Sequence, residues 1–430
     1  MDIDSILKPF KRFGINLGLE QNQKLLASLG NPHHQVPVIH VAGTNGKGSV
    51  CAYLSSILTE AGYRTGRYTS PHLVDWTERF CLNEQSISAE ELCKLLLQVE
   101  AAINPEENFP TQFEVLTAAA WLYFAQQQVD VAVVEVGLGG RLDATNVCDR
   151  PLVTIITSIG LDHLKILGST IAEIAVEKAG ILKPECPVVI GQLPPDAQKV
   201  VRSRVLELKC PYITPQPARQ IATGWAEYQG VGEMGENSEF SRQNLKSIKY
   251  PLPLHGQFQL VNSSVAIAAL QILQKQGWEI SEADIIRGMA KTKWLGRMQW
   301  TTWNKHKLLV DGAHNPAAAE VLRDYIETLE SKIGVSWVMG MRSSKDHAGI
   351  FKALLRPNDR LYLTPVLDPH PADQSELAKL AQNICPLSFC STYSDLSSAL
   401  EAAFASTENL VVLCGSLYLV GDFLQTLSGE

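Results

Sequence analysis

Residues Gly43-Thr-Asn-Gly-Lys-Gly-Ser49 form a glycine loop around a single lysine. Where such a loop leads from a strand into a helix, backbone N–H groups and the helix dipole face an anion. Lys47 adds a point charge suited to the β- and γ-phosphates of a nucleotide. The usual phosphate loop places Ser or Thr directly after its Lys to ligate Mg²⁺. Here Gly48 fills that place, Ser49 comes one residue late, and only Thr44 and Asn45 separate the leading glycines. The metal ligand must come from elsewhere. Apart from Asp130 at its start, Glu135 is the lone carboxylate of an apolar run over 129–136, near its end and followed by Gly137-Leu-Gly-Gly140. An acid at the mouth of a parallel sheet is costly unless it is paired or metal-bound. Asp162-His163 follows the next apolar run, 152–158, and stands at the same rim. Capping of local N–H groups is the competing use of Glu135, and a satisfied surface position that of His163.

The elements that must hold these groups alternate. Residues 36–41 read as a strand and 50–60 as a helix closed by Ala61-Gly62; 114–127 reads as a helix before the strand at 129–136. Further buried strands are expected over 152–158 and Val188–Ile190. Strands alternating with helices imply a parallel, doubly wound sheet. Residues 211–250 are polar and Gly-rich with scattered aromatics, fitting a small antiparallel excursion or a surface segment. Helical patterning returns over 259–276 and 282–290, and residues 291–297 break it. The alternation then restarts with strands over 307–310, Val335–Met339, 361–363 and Leu410–Cys414 and a helix over 316–330. The expected fold is α/β, with an N-terminal P-loop doubly wound, mostly parallel sheet domain over 1–296. A smaller C-terminal Rossmann-like α/β domain follows over 297–430.

At about 100–200 residues per domain, 430 residues fit two or three domains. Lys plus Arg is 37 against 45 Asp plus Glu, a net charge of −8, which argues against a nucleic-acid partner. The nine cysteines include no CxxC pair, so neither a disulfide framework nor a thiolate zinc site is expected. The start, Met1-Asp-Ile-Asp-Ser, is unlike a signal peptide, and no apolar run approaches the ~20 residues of a membrane helix. A cytoplasmic protein with no membrane partner is expected, with a monomer as the default.

Seven motifs in order carry a resemblance. They are Gly43–Ser49; Thr69-Ser-Pro-His-Leu73; Glu135-Val-Gly-Leu-Gly-Gly-Arg-Leu-Asp-Ala-Thr-Asn146; Asp162-His163; Glu177-Lys-Ala-Gly-Ile-Leu-Lys183; Leu295-Gly-Arg297; and Asp311-Gly-Ala-His-Asn-Pro316. Together they closely resemble the folylpolyglutamate synthase / dihydrofolate synthase family, within the Mur-ligase-like amide ligases, from Phe13-Gly-Ile-Asn-Leu-Gly-Leu-Glu20 to Gly415-Ser-Leu-Tyr418.

The resemblance implies an ATP-dependent acid–amino-acid ligase. ATP phosphorylates a carboxylate to an acyl phosphate, and the amine of L-glutamate attacks it; the pteroyl substrate is a reduced folate or dihydropteroate. Gly43, Thr44, Asn45, Gly46, Lys47, Gly48 and Ser49 would hold the ATP phosphates. Ser70 and Glu135 would ligate one Mg²⁺ and His163 a second. Lys178 would be carbamylated by CO₂, where its residue type alone also fits a solvated lysine near a helix C-terminus capped by Gly180. Carbamylation needs a neutral amine and hence a desolvated site. Thr111, Gln112, Phe113 and Glu114 with Leu142, Asp143 and Ala144 would bind the pterin end, Phe113 by stacking and Asp143 by accepting hydrogen bonds. Asn262, Arg297 and Asp311 would serve the adenine side, with His314 near the phosphates, and ATP would bridge the domains. Val261-Asn-Ser-Ser264 matches the family pattern loosely.

Two rivals remain open. A peptidoglycan-precursor Mur ligase usually carries a UDP-binding domain ahead of its phosphate loop, whereas about 42 residues precede this one, and Asp311-Gly-Ala-His lacks the Tyr of that pattern. A non-ligase P-loop NTPase switch would leave Glu135, His163, Lys178 and Asp311 unexplained.

Overall fold

The apolar run that ends in Glu135 forms a strand, Val131–Glu135, whose five residues are all buried. A computed structural model describes residues 2–13, 18–104, 109–235, 247–329, 334–368, 370–405 and 409–428. Residues 14–17, within Phe13–Glu20 where the resemblance begins, 236–246 of the polar stretch, and Glu330 lie outside the described residues. The chain divides into two compact units. The first holds Met1–Gly160, Leu164–Pro253 and Gln259–Lys293; the second holds Leu161–His163, Leu254–Phe258 and Trp294–Glu430. No sequence periodicity marks the two short segments that group with the second unit.

Strands of the first unit are β1 (Val38–Ala42), β2 (Thr65–Tyr68), β3 (Phe80–Leu82), β4 (Gln85–Ser86), β5 (Val131–Glu135) and β6 (Val153–Ile156). They continue with β7 (Val188–Ile190), β8 (Tyr212–Pro215), β9 (Arg219–Ala222), β10 (Trp225–Tyr228), β11 (Val231–Met234) and β12 (Ile248–Pro251). Among the described residues, nine make one sheet in the order β11-β8-β7-β6-β1-β5-β2-β3-β4. From β8 to β2 every neighbour is parallel, and the strands at both edges are antiparallel. The central strands are Val- and Ile-rich and buried throughout, as both-face coverage by helices requires. Register Val41↔Glu135 brings the mouth of β5 beside the entry to the glycine loop. The polar stretch after residue 210 pairs β11 with β8 and builds a separate antiparallel sheet, β12-β10-β9.

β2 is invisible to apolar patterning. Its Thr-Gly-Arg-Tyr sequence is polar, yet all four residues are buried, because Arg67 Nη1 is satisfied inside by Glu84 Oε2 at 2.8 Å and Ser55 Oγ at 3.1 Å.

The second unit has β13 (Gln299–Trp303), β14 (His306–Val310), β15 (Val335–Met339), β16 (Arg360–Leu363), β17 (Phe389–Thr392) and β18 (Leu410–Cys414). Their order is β13-β14-β18-β15-β16-β17, parallel except for the β13–β14 hairpin. Sequence patterning finds four of the six. The other two, β13 and β17, are the partly exposed edges, where no continuous apolar run is needed. Core packing around Trp337, Met339, Leu361, Phe351 and Val412 supports the rim that carries Asp311.

Candidate active site

The glycine loop of the first unit is shaped by what touches it. A Cβ at Gly43 would lie 1.9 Å from Thr157 Oγ1, and one at Gly46, where φ is +87°, would lie 2.5 Å from Asn262 Oδ1. Glycine is required at both places. Thr44 N–H donates to the Ser158 carbonyl at 2.7 Å, Asn45 N–H to Ser158 Oγ at 3.0 Å, and Thr157 Oγ1 to the Asn45 carbonyl at 2.7 Å. The helix Lys47–Glu60 starts from Gly46 without a side-chain cap, so its first N–H groups are presented to an anion.

Lys47 Nζ donates to the Thr44 carbonyl at 3.3 Å and stands 3.7 Å from Glu135 Oε1. Glu135 is buried, and its Oε2 accepts the Ser70 N–H at 3.3 Å. A buried carboxylate next to a serine supplies hard oxygen donors of the kind Mg²⁺ takes, with one or two carboxylates plus substrate phosphates. Such a site needs no cluster of three or more His, Cys, Asp or Glu, and none occurs among the described residues.

Lys178 comes from the helix Ile171–Ala179, started by a Thr170–Glu173 capping box. It is not the solvated lysine its helix-end position permits. The side chain is buried, and Nζ donates to the Gly43 carbonyl at 2.8 Å. Gly180 caps this helix with φ −64°, outside the left-handed region expected of a terminal glycine. Packing is the reason for glycine there, since a Cβ would lie 2.3 Å from Arg141 Cβ.

Phe113 packs onto the chain just past Glu135: its Cζ lies 2.3 Å from where a Gly137 Cβ would stand. Thr111 and Glu114 are engaged with each other as the capping box of the helix Gln112–Gln126, Glu114 Oε2 accepting from Thr111 N and Oγ1 at 2.7 Å each. Gln112 Nε2 and Glu114 Oε1 are buried without a hydrogen-bond partner among the described residues. Asp143 is buried and accepts from Leu138 N–H at 2.7 Å and Thr145 N–H at 3.0 Å. Burial pushes its carboxyl up from the ordinary value, and hydrogen bonds from Thr145, Leu138 and Gly137 oppose that. Leu142 is half-buried, and the Ala144 carbonyl accepts from Asn22 Nδ2 at 2.6 Å. Asn262 is buried on the helix Phe258–Lys275 and donates to Gln259 Oε1 at 3.1 Å.

In the second unit, Asp311 follows β14 and is buried. Its oxygens accept from Met298 N–H at 2.8 Å and Ala313 N–H at 2.7 Å; burial raises its pKa, and the Arg297 guanidinium acts against that. His314 Nδ1 lies 2.8 Å from the Gly312 carbonyl, which can only accept, so Nδ1 carries the proton and Nε2 a lone pair. Burial, then the Lys345 ammonium, hold this ring well below the ordinary imidazole range. Asp162 sits opposite: it accepts from Lys345 Nζ at 2.9 Å and Asn315 Nδ2 at 3.2 Å, with His314 Nε2 at 3.7 Å. Despite burial, Lys345, His163 and His314 keep its carboxyl well below the usual range. His163 adopts a left-handed φ of +52°, its N–H on Asp162 Oδ1 at 2.8 Å.

The first unit thus gathers the glycine loop, Lys178, Asn262, Glu135 and Ser70, with Phe113 and Asp143 held just beyond β5. The second gathers Arg297, Asp311, His314 and His163. Sequence reasoning misses Thr157 and Ser158, which brace the loop, and Gln259, whose amide reaches Ser49 Oγ at 3.2 Å. It also misses Lys345. That residue follows an apolar strand, the same signal that marks Asp162-His163.

Residues 41–270 match the Mur ligase middle domain, and residues 296–426 match the C-terminal domain of dihydrofolate synthetase. The fold is that of a Mur-type ATP-dependent ligase. The chain is 34% identical over 423 residues to a Bacillus subtilis dihydrofolate synthase/folylpolyglutamate synthase, covering 97% of this chain and 96% of the relative. It superposes on Escherichia coli FolC in complex with DHPP and ADP with a TM-score of 0.82 at 32% identity, over 99% of this chain and 96% of that one. A bifunctional folylpolyglutamate synthase/dihydrofolate synthase with Mn, AMPPNP and L-glutamate bound gives a TM-score of 0.81 at 29% identity, over 100% and 98%. The chain belongs to the dihydrofolate synthase/folylpolyglutamate synthase family.

Proposed function

We propose that this protein joins L-glutamate to the carboxyl group of a pteroyl compound at the expense of ATP, accepting dihydropteroate as well as reduced folates. The observation that carries this reading is the meeting of Lys47, Glu135 and Lys178 on one glycine loop. Phosphoryl transfer between anions depends on positioning and charge neutralisation more than on covalent help. In the first step a carboxylate oxygen attacks the γ-phosphorus and the bond to ADP breaks. In the second the glutamate nitrogen forms the amide bond, a proton leaves it, and phosphate departs.

Residues Gly43 to Ser49 bind the phosphates, with Lys47 turning its ammonium from Glu135 toward them. Glu135 and Ser70 would hold one Mg²⁺ and His163 a second, supplying Lewis-acid neutralisation of the phosphate charge. Lys178 is buried with its Nζ on the Gly43 carbonyl, so a carbamate formed there with CO₂ would stand beside the loop. Phe113 and Asp143 receive the pterin, on a helix start fixed by Thr111 and Glu114, with Gln112, Leu142 and Ala144 completing the lining. Asn262, Arg297 and Asp311 serve the adenosine. His314, a neutral ring with a lone pair on Nε2, can accept a hydrogen bond but brings no charge.

The segment Arg141-Leu-Asp-Ala144 inclines the reading toward dihydropteroate, and the nine free cysteines support a reducing compartment, the cytoplasm. The protein is proposed to act as a monomer. Incubation of dihydropteroate, tetrahydrofolate and methylene-tetrahydrofolate separately with ATP and glutamate, read by product mass, tests the division of substrates. Glutamylated product from dihydropteroate and from at least one reduced folate is expected; product from only one class would restrict the activity to that class.

A further inference from the structure

The strand that feeds the glycine loop carries a histidine that the chemistry above leaves unused. His40 lies inside β1 and is buried, and its Nε2 stands 2.9 Å from Thr145 Oγ1. Thr145 Oγ1 is in turn 2.5 Å from Asp143 Oδ1. Acceptor chemistry sets the direction of this string. The N–H groups of Leu138 and Thr145 aim at the two oxygens of Asp143 and select its carboxylate form, which can only accept. The single hydroxyl proton of Thr145 therefore goes to Asp143. Its oxygen is left to accept from His40, so His40 carries its proton on Nε2. Burial keeps the ring neutral, with its pKa pushed down to about 3, so it has just that one N–H to give.

The Asp143 carboxylate is also met by backbone N–H groups, while the other side-chain bonds nearby hold the loop and not the carboxylate. Asn22 Nδ2 grips the Ala144 carbonyl, and Asn146 Nδ2 donates to the carbonyls of Arg141 and Gly180 at 3.0 and 3.1 Å. We infer that His40 and Thr145 are positioning residues for the pteroyl substrate, orienting the Asp143 carboxylate from the same strand that launches the phosphate loop. The inference rests on the proposed reading of Asp143 as the pterin-facing acid.

Steady-state KM values for dihydropteroate, ATP and glutamate, with thermal midpoints, test this in Thr145→Val, Thr145→Ser and Asp143→Ala. Thr145→Val keeps the shape and removes the hydroxyl. It should raise the dihydropteroate KM about ten-fold or more, as loss of a buried charge-assisted hydrogen bond does, and leave the other two KM values within about two-fold. Thr145→Ser should restore the dihydropteroate KM to within about three-fold of the parent. An unchanged dihydropteroate KM in Thr145→Val, beside a raised one in Asp143→Ala, would overturn the inference. So would an equal rise in all three KM values, or a Ser variant as impaired as the Val one. An unchanged KM in Asp143→Ala would instead remove the pterin reading of Asp143, and the positioning role with it. If Thr145→Val does not fold, His40→Leu removes the donor alone and is read by the same criteria.

Discussion

Lys178 Nζ and the carbonyl of Gly43 are joined by a buried hydrogen bond of 2.8 Å, 135 residues apart in the chain. The lysine thus acts on the glycine loop itself, and two consequences can be separated. Lys178→Ala should lower turnover by about 100-fold or more while nucleotide affinity, measured by ADP titration, stays within about three-fold. Wild-type activity should also fall in CO₂-depleted buffer and return on addition of bicarbonate. Near-normal turnover in the variant, or indifference to bicarbonate, would count against the carbamate.

Gly46 should not tolerate a side chain. Its φ of +87° costs an L-residue about 1–2 kcal/mol, and a Cβ would press on Asn262 Oδ1. Gly46→Ala should weaken ADP binding by about ten-fold or more. Gly224→Ala is the control: its φ is +70° but nothing lies within 4 Å of the added atom. The control should show the strain in its thermal midpoint and normal ADP binding. Equal ADP affinity in the two variants would contradict the assignment of the loop.

Asp311 is the acceptor for two buried N–H groups, those of Met298 and Ala313. Asp311→Ala strands both, at roughly 1–3 kcal/mol each. Urea unfolding should move to a clearly lower midpoint, and the KM for ATP should rise. A variant as stable as the parent would show that the loop re-forms its bonds elsewhere.

His40 makes stability depend on pH. Its folded pKa, about 3, lies below the ordinary 6.5, so the unfolded chain binds the proton that the folded chain refuses. The contribution is complete above about pH 6.5 and is lost as pH falls from there toward 3, at about 1.4 kcal/mol per pH unit. Denaturant midpoints measured from pH 7 to 5 should fall, and less steeply in His40→Leu. Parallel curves for the two proteins would contradict burial of a neutral ring.

What the chain discloses before it is folded follows from how local each signal is. Gly43–Ser49 and Glu135 are legible because a glycine loop after an apolar strand, and an acid at a strand end, are patterns within a few residues. The partners that tune them are not local. Thr145 lies 105 residues from His40, Ala144 lies 122 from Asn22, and Asp162 lies 183 from Lys345. No periodicity encodes such pairs; only the folded chain brings them together. β2 escapes for a different reason: buried Arg67 is neutralised by Glu84, so a polar sequence occupies an interior position. Thr111 and Glu114 gain a binding role only through the resemblance, but Thr-x-x-Glu before an apolar run is a local capping-box pattern, and that box fixes the start of the helix that carries Phe113.

The most direct measurement is ADP formation with each substrate omitted in turn, paired with product mass. ADP should form catalytically only when a pteroyl substrate and L-glutamate are both present, with one glutamate added per ADP released and no more than about one ADP per enzyme from the first step when glutamate is omitted. ADP formed as fast without either of them, or turnover on UDP-muramyl peptides in place of pteroyl compounds, would contradict the ligase assignment at its centre.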